Sequence, residues 1–270
     1  MHLLPPELIR VNDHLLREID ERNQSIYRLI VFNNQYQSSG LLTRYLEAMA
    51  HLRDVISIKN AQQEAQSHEE ALQYLDNLKK GIDLIVEHIA AQQTLQTPAD
   101  LFMLYRKIAP DAAVRNPNYF RRTLVQFGPC YGADPREIPG LIEMLFEAIM
   151  EIEHPVVKAI YLHHELVRIH PFTDGNGRLS RFAKNWVLMY NLYAPMFIND
   201  LTDKKKYIAN LEGSFLNLME RPLTYSVATE EFFNSELQRL KASTGFILNR
   251  MLKNPDIVID TDDALFPDSA

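Results

Sequence analysis

The chain has 270 residues, with Lys+Arg 28 against Asp+Glu 35 and a formal net charge of -7. That balance, with no basic tail and no aromatic-interleaved basic stripe, disfavours nucleic acid as a partner. Cys130 is the only cysteine, which excludes an internal disulfide and points to a reducing compartment. No stretch approaches the roughly 18 uncharged apolar residues of a membrane span, and Met1 to Asp20 carries prolines and charges rather than a secretory layout. A soluble, cytoplasmic protein is expected, and 46% hydrophobic residues suffice for a sizeable core.

Helical signals follow one another along the chain. Pro5-Pro6 opens a first amphipathic helix, Leu41 to Ile58 carries a second, and Ser67-His68-Glu69-Glu70 reads as a capping box opening a long third. Thr97-Pro98-Ala99-Asp100 caps a fourth and Ile138 to Ile152 makes a fifth. Strand signals are nearly confined to Tyr119 to Pro129, a β-prone run after Asn116-Pro117-Asn118 that ends in Gly-Pro, as a surface hairpin does. Val156, Ile160, His163 and Val167 then form one helical stripe running to about Ile169, where Pro171 stops it. Leu179, Phe182, Trp186 and Leu188 mark the next helix, opening at Asn176 or Gly177, and helices around Tyr207 and over Thr229 to Lys253 complete an all-α set. The expected organisation is an N-terminal helical portion at 1–95, a core at 100–221, a trailing helical segment at 222–253 and an acidic tail at 254–270.

Between the two central helices lies His170-Pro-Phe-Thr-Asp-Gly-Asn-Gly-Arg-Leu-Ser-Arg181. A tight loop feeding a helix start presents unpaired N–H groups and the positive end of the helix dipole, a natural anion site. Gly175 and Gly177 let a phosphate approach that backbone. Arg178 and Arg181, three apart on the first turn, are expected to reach the same anion. Asp174 beside a phosphate calls for a divalent cation between them, and Mg²⁺ takes one or two carboxylates plus phosphate oxygens. His170, with an ordinary pKa of about 6.5, is placed to take a proton from an attacking hydroxyl. Asp-Gly-Asn-Gly alone is an ordinary turn sequence, but a base, a carboxylate, two glycines and two arginines in twelve residues point to phosphoryl or nucleotidyl transfer. His163, His164, Glu165 and His170 lack His-Glu-x-x-His spacing, so zinc is not expected, and His163 reads as a buried core histidine.

The dodecamer resembles the signature of the Fic family, His-x-Phe-x-Asp/Glu-Gly-Asn-Gly-Arg-x-x-Arg, at every defined position. Fic proteins typically transfer AMP from ATP to a Ser, Thr or Tyr hydroxyl of a target protein. The resemblance implies a Fic-type helical core, His170 as general base, Asp174 as Mg²⁺ ligand, and Asn176 with the Gly175 and Gly177 amides as an anion hole for the α-phosphate. It further implies Arg178 and Arg181 on the remaining phosphates, with Arg181 nearest the γ end, and Phe172 as buried anchor. Relatives that transfer phosphate carry lysine at the second glycine, so Gly177 favours AMP.

Three further comparisons with the family follow. A hairpin flap that pairs in register with the target would lie at Arg121 to Phe127, presenting Arg122, Thr123, Leu124, Val125 and Gln126. Tyr207 resembles one of two adjacent tyrosines that receive the adenine ring; the second is missing here. The self-inhibitory Ser/Thr-x-x-x-Glu-Gly/Asn motif has its nearest counterparts in Val55 to Asn60, where Val55 replaces the Ser/Thr and Lys59 the glutamate, and in Thr43 to Ala48, which keeps Glu47 but lacks the last residue. Glutamate-type autoinhibition is therefore expected to be absent. A nucleotide-binding scaffold without turnover, and an enzyme using another diphosphate donor such as UTP or CDP-choline, stand as alternatives. A homodimer through helical faces is also plausible for so many amphipathic helices.

Overall fold

The structure, a computed structural model, describes residues 1–32, 61–62, 65–115, 119–198 and 201–253. The expected helix over Leu41 to Ile58, Lys59, Glu47, Asn116 to Asn118 and the tail at 254–270 lie outside the described residues.

The described helices are α1 (Asp13–Phe32), α2 (His68–Ala90), α3 (Pro98–Ile108), α4 (Pro110–Arg115), α5 (Ile138–Glu151), α6 (Pro155–Ile169), α7 (Asn176–Tyr190), α8 (Leu201–Glu220) and α9 (Val227–Lys253). A two-stranded hairpin, β1 (Gln126–Phe127) and β2 (Cys130–Tyr131), separates α4 from α5. This is the all-α architecture with a short hairpin that the sequence predicts.

Capping chemistry explains the helix starts. Thr97 and Asp100 close a full capping box, with Thr97 N–H donating to Asp100 Oδ2 at 2.9 Å, and Pro98 occupies the first turn where its missing N–H costs nothing. At α2 the box is shifted. Ser67 Oγ accepts from Glu70 N–H at 3.1 Å, but the Glu70 carboxylate receives Gln66 N–H at 2.6 Å and the Tyr74 hydroxyl at 2.7 Å. Pro5-Pro6 opens only a 3-10 turn at Pro6–Leu8, because Ile9 returns to extended backbone; the first helix starts at Asp13.

α6 runs through the core. It packs against α7, α5 and α9, while α9 also holds α1 and α8, and α2 and α3 lie against α7. The sequence predicts one apolar stripe on α6, yet all its residues from Ala159 to Ile169 are buried. A helix buried on every side must pair its polar groups, and it does. Glu165 binds Arg168 and accepts from His164 Nδ1 at 2.7 Å, His164 Nε2 meets Ser214 Oγ at 2.9 Å, and Ser214 meets Thr229 at 2.9 Å. Burial pushes the Glu165 carboxyl up, but Arg168 and His164 outweigh it and hold it at about 2. The Glu-His-Ser order is that of a hydrolase relay, but all three side chains are fully buried, so it serves as a polar spine joining α6 to α8 and α9.

Candidate active site

α6 ends where its sequence dictates. His170 takes the left-handed conformation, φ 54° and ψ 61°, with its N–H on Leu166 O at 3.1 Å, and Pro171 prevents another helical turn. The imidazole Nδ1 lies 3.2 Å from Val167 O. A carbonyl can only accept, so Nδ1 carries the hydrogen and Nε2 keeps its lone pair. Phe127 of the hairpin stacks on the ring, centroids 4.3 Å apart and planes 11° apart. Burial, reinforced by the field of Arg121 and opposed by the Val167 bond and Asp174, lowers the His170 pKa to about 4. The imidazole is therefore a neutral acceptor at neutral pH.

The loop that follows is clamped from below. Phe172 is fully buried and stacks on Tyr105 at 3.7 Å and 14°, and the Tyr105 hydroxyl donates to Asp174 O at 3.1 Å. Asn176 accepts from Phe172 N–H at 2.9 Å and donates to Phe172 O at 2.8 Å. Its carboxamide thus closes the loop, a change from the anion-hole role that the resemblance implies, and its backbone N–H stands at the first position of α7. Gly175, φ +75°, is the residue before that helix, and a Cβ there would sit 2.9 Å from Ala109 Cβ and 3.2 Å from Tyr105 Cε2. Only glycine fits both the conformation and the space.

A cleft of about 180 Å³ opens over this helix start, walled by Tyr74, His170, Asp174, Gly175, Gly177 and Arg178 among others. The Asp174 side chain is 63% exposed; Oδ1 takes the Gly175 N–H at 2.6 Å and Oδ2 lies 3.9 Å from Arg178. Among the described residues no group of three His, Cys, Asp or Glu side chains gathers as a metal cage. One exposed carboxylate at an anion cradle suits Mg²⁺ completed by phosphate oxygens and water.

The two arginines are held by different partners. Arg178 is 4% exposed, reaches Ile108 O at 3.4 Å and lies 4.2 Å from the Tyr74 ring centroid, so it faces the cleft from a fixed seat. Arg181 hydrogen-bonds the Tyr207 hydroxyl. A Cβ on Gly177 would stand 3.2 Å from its Nη1, so the glycine leaves room for the guanidinium to fold back over the first turn.

Tyr207 also departs from the reading that the resemblance implies. It is 5% exposed, and its hydroxyl lies 2.9 Å from His163 Nε2. Burial keeps His163 far below its ordinary pKa, so the ring is neutral and its Nε2 shares a hydrogen bond with the tyrosine hydroxyl, whose oxygen also accepts from Arg181. Tyr207 is thus a brace for Arg181 rather than an open platform for a base, and His163 is the buried core histidine expected. Behind them Lys184 pairs with Glu236 at 2.5 Å, and Arg239 binds both Glu236 and Asp203.

The hairpin sits beside the base. Gln126 pairs with Tyr131 and Phe127 with Cys130, and Gly132 N–H extends the ladder to Val125 O at 3.1 Å. Regular strand is thus confined to 126–127 and 130–131, shorter than the expected run from Arg121. Arg122, Thr123 and Leu124 are exposed, Leu124 at 73%, as is Gln126, with Val125 half-buried. Tyr74 and Tyr105 are site residues that motif reading passed over, while Arg121 and Phe127 entered it only as the ends of the flap.

Residues 97–188 match the family model described as Fic/DOC family. A protein adenylyltransferase Fic of Drosophila persimilis is 36% identical over 135 residues, 47% of this chain and 26% of that protein. Its namesake in Drosophila virilis is 31% identical over 205 residues, 71% of this chain and 40% of that protein. The chain therefore spans about a quarter to two fifths of the length of these curated relatives. The crystal structure of a Fic domain containing signaling protein from Bacteroides thetaiotaomicron superposes with a TM-score of 0.68 at 17% identity, covering 87% of this chain and 97% of that one. With the whole signature seated at the turn from α6 to α7, residues 97–188 of this chain form a domain that matches the Fic/DOC family.

Proposed function

We propose that the protein is a Mg²⁺-dependent protein adenylyltransferase acting on a Ser, Thr or Tyr hydroxyl of a target protein, with ATP as donor. The observation that carries this reading is the His170 imidazole. Its Nδ1 hydrogen is committed to Val167 O, which leaves the Nε2 lone pair to take a proton, and the residue lines a cleft walled by the start of α7. A binding module without turnover needs no base there.

In the reaction, Nε2 takes the hydroxyl proton as the oxygen attacks the α-phosphorus. The new P–O bond replaces the bond to pyrophosphate, which leaves. Backbone N–H groups at Gly175 to Gly177 would face the α-phosphate, and Arg178, from its seat against Tyr74, would balance the charge of the remaining phosphates. Asp174 would hold the Mg²⁺, which supplies charge neutralisation at the phosphates when bound. The target would lie along the exposed limb Arg122 to Gln126 as an added strand.

Tyr207 is buried, and labelled transfer identifies the donor base. The protein is incubated with Mg²⁺ and ATP, UTP, GTP or CDP-choline, each labelled on the α- or the terminal phosphate, in the presence of cell lysate. Transfer of the α-label from ATP supports adenylyl transfer. Transfer of only the terminal label overturns it, α-label from another donor changes the donor, and tight ATP binding with no transfer favours a scaffold. Residues 100–221 would be the catalytic core, with 1–95 and 222–253 as its helical buttresses. A reducing, cytoplasmic setting fits the single buried Cys130, and no described helix is long and apolar enough to cross a membrane.

A further inference from the structure

Arg121 is 1% exposed although it begins an exposed segment. Its backbone N–H donates to Pro171 O at 2.9 Å, its Nε to His170 O at 2.6 Å and its Nη2 to Ile169 O at 3.2 Å. One residue thus holds three consecutive carbonyls at the point where α6 stops and leaves its last C=O groups without helical partners. The rest of the guanidinium serves the hairpin. Nη1 donates to Thr123 O at 2.7 Å and Nη2 to Ala133 O at 2.5 Å, one carbonyl on each limb.

The guanidinium therefore ties four main-chain oxygens on both sides of the boundary between flap and base. Ala133 N–H adds a direct bond to Ile169 O at 3.1 Å. Nothing larger than glycine fits in the joint, since a Cβ on Gly132 would lie 2.6 Å from Arg121 Nη2 and 3.1 Å from His170 Cβ. Burying a guanidinium is costly unless its donors are matched, and a planar fork matches several carbonyls where an ammonium, a point charge, does not.

We infer that Arg121 is a positioning residue that registers the flap against the His170 imidazole, fixing how far the edge that would receive the target lies from Nε2. The inference rests on the adenylyl-transfer reading above for its consequence in catalysis. It leaves the phosphate cradle out, because that loop is held by Tyr105, Phe172 and Asn176, none of which Arg121 bonds.

The test compares native protein with Arg121→Lys and Arg121→Met, checking that each still melts cooperatively. Three quantities are read: Mg·ATP affinity by calorimetry, amide exchange at Gly132 and Ala133, and the rate of α-label transfer from saturating ATP to lysate proteins. The inference predicts unchanged ATP affinity, amides exchanging about tenfold faster, and a transfer rate about 100-fold lower, the usual cost of a misplacement near 1 Å. Arg121→Lys keeps charge and length and is expected to fail nearly as badly as Arg121→Met. Transfer and exchange at native rates in the variants overturn it, as does a rate that falls only in step with ATP affinity. Native protein that labels nothing while the variants still free the two amides defeats adenylyl transfer and supports the lock.

Discussion

The Phe127 ring lies flat on the His170 imidazole, centroids 4.3 Å apart, so the hairpin covers one face of the ring. Burial of this kind, more than any charge, lowers the His170 pKa to about 4. Protonation removes the base, so activity is lost as pH falls through the folded pKa. The acid limb of kcat/KM should therefore lie near pH 4 to 5, well below the ordinary imidazole value of about 6.5. Phe127→Ala admits water to the ring and should move the limb upward. A native limb already at about 6.5 would show that the imidazole is solvated. Stability follows the same sign, declining as pH drops from the unfolded value toward the folded one, because the unfolded chain takes up the proton first.

Gly175→Ala should weaken Mg·ATP binding about tenfold, since a left-handed alanine costs about 1–2 kcal/mol and each 1.4 kcal/mol is about tenfold in affinity. The added Cβ would also press on Ala109 at 2.9 Å and displace the cradle. Calorimetric titration checks this, and native affinity would mean that the cradle does not hold the phosphates.

Tyr207→Phe removes the hydroxyl between Arg181 and His163, leaving a buried acceptor unsatisfied at about 1–3 kcal/mol. Melting should fall by about 2–4 °C for each kcal/mol in a chain of this size. The preference for ATP over GTP should not change. If the variant melts normally but loses that preference, Tyr207 touches the base after all.

Phe172→Ala should cost about 3–5 kcal/mol, because the ring is fully buried among Tyr105, Phe102 and Phe120. The loop above it would lose its floor, so transfer should fall even well below the melting temperature. Equal activity per folded molecule would make Phe172 a mere core residue.

Much of this was legible because local rules act locally. The Thr97/Asp100 box and Pro171 beyond the end of α6 fix two helix boundaries within a few residues of sequence. The dodecamer carries its own turn and glycines, so its place at a helix start follows from the same short stretch. What the sequence hid depends on distant partners. Arg178 and Arg181 share a face by spacing, but the spacing does not show that Tyr74 and Ile108 hold the first and Tyr207 the second. Tyr207 reads as a ligand contact until His163, 44 positions away, takes its hydroxyl. The hairpin reads as a longer strand because the Arg121 guanidinium, which folds beneath it, has no periodicity to betray it.

The central claim is that the His170 imidazole removes the proton of the attacking hydroxyl. It is tested most directly by the rate of AMP transfer from ATP by native protein and by His170→Ala, both saturated with Mg·ATP. The account predicts that the variant binds the nucleotide as the native protein does and transfers AMP roughly 10² to 10⁴ times more slowly. Equal transfer rates at equal occupancy would contradict it.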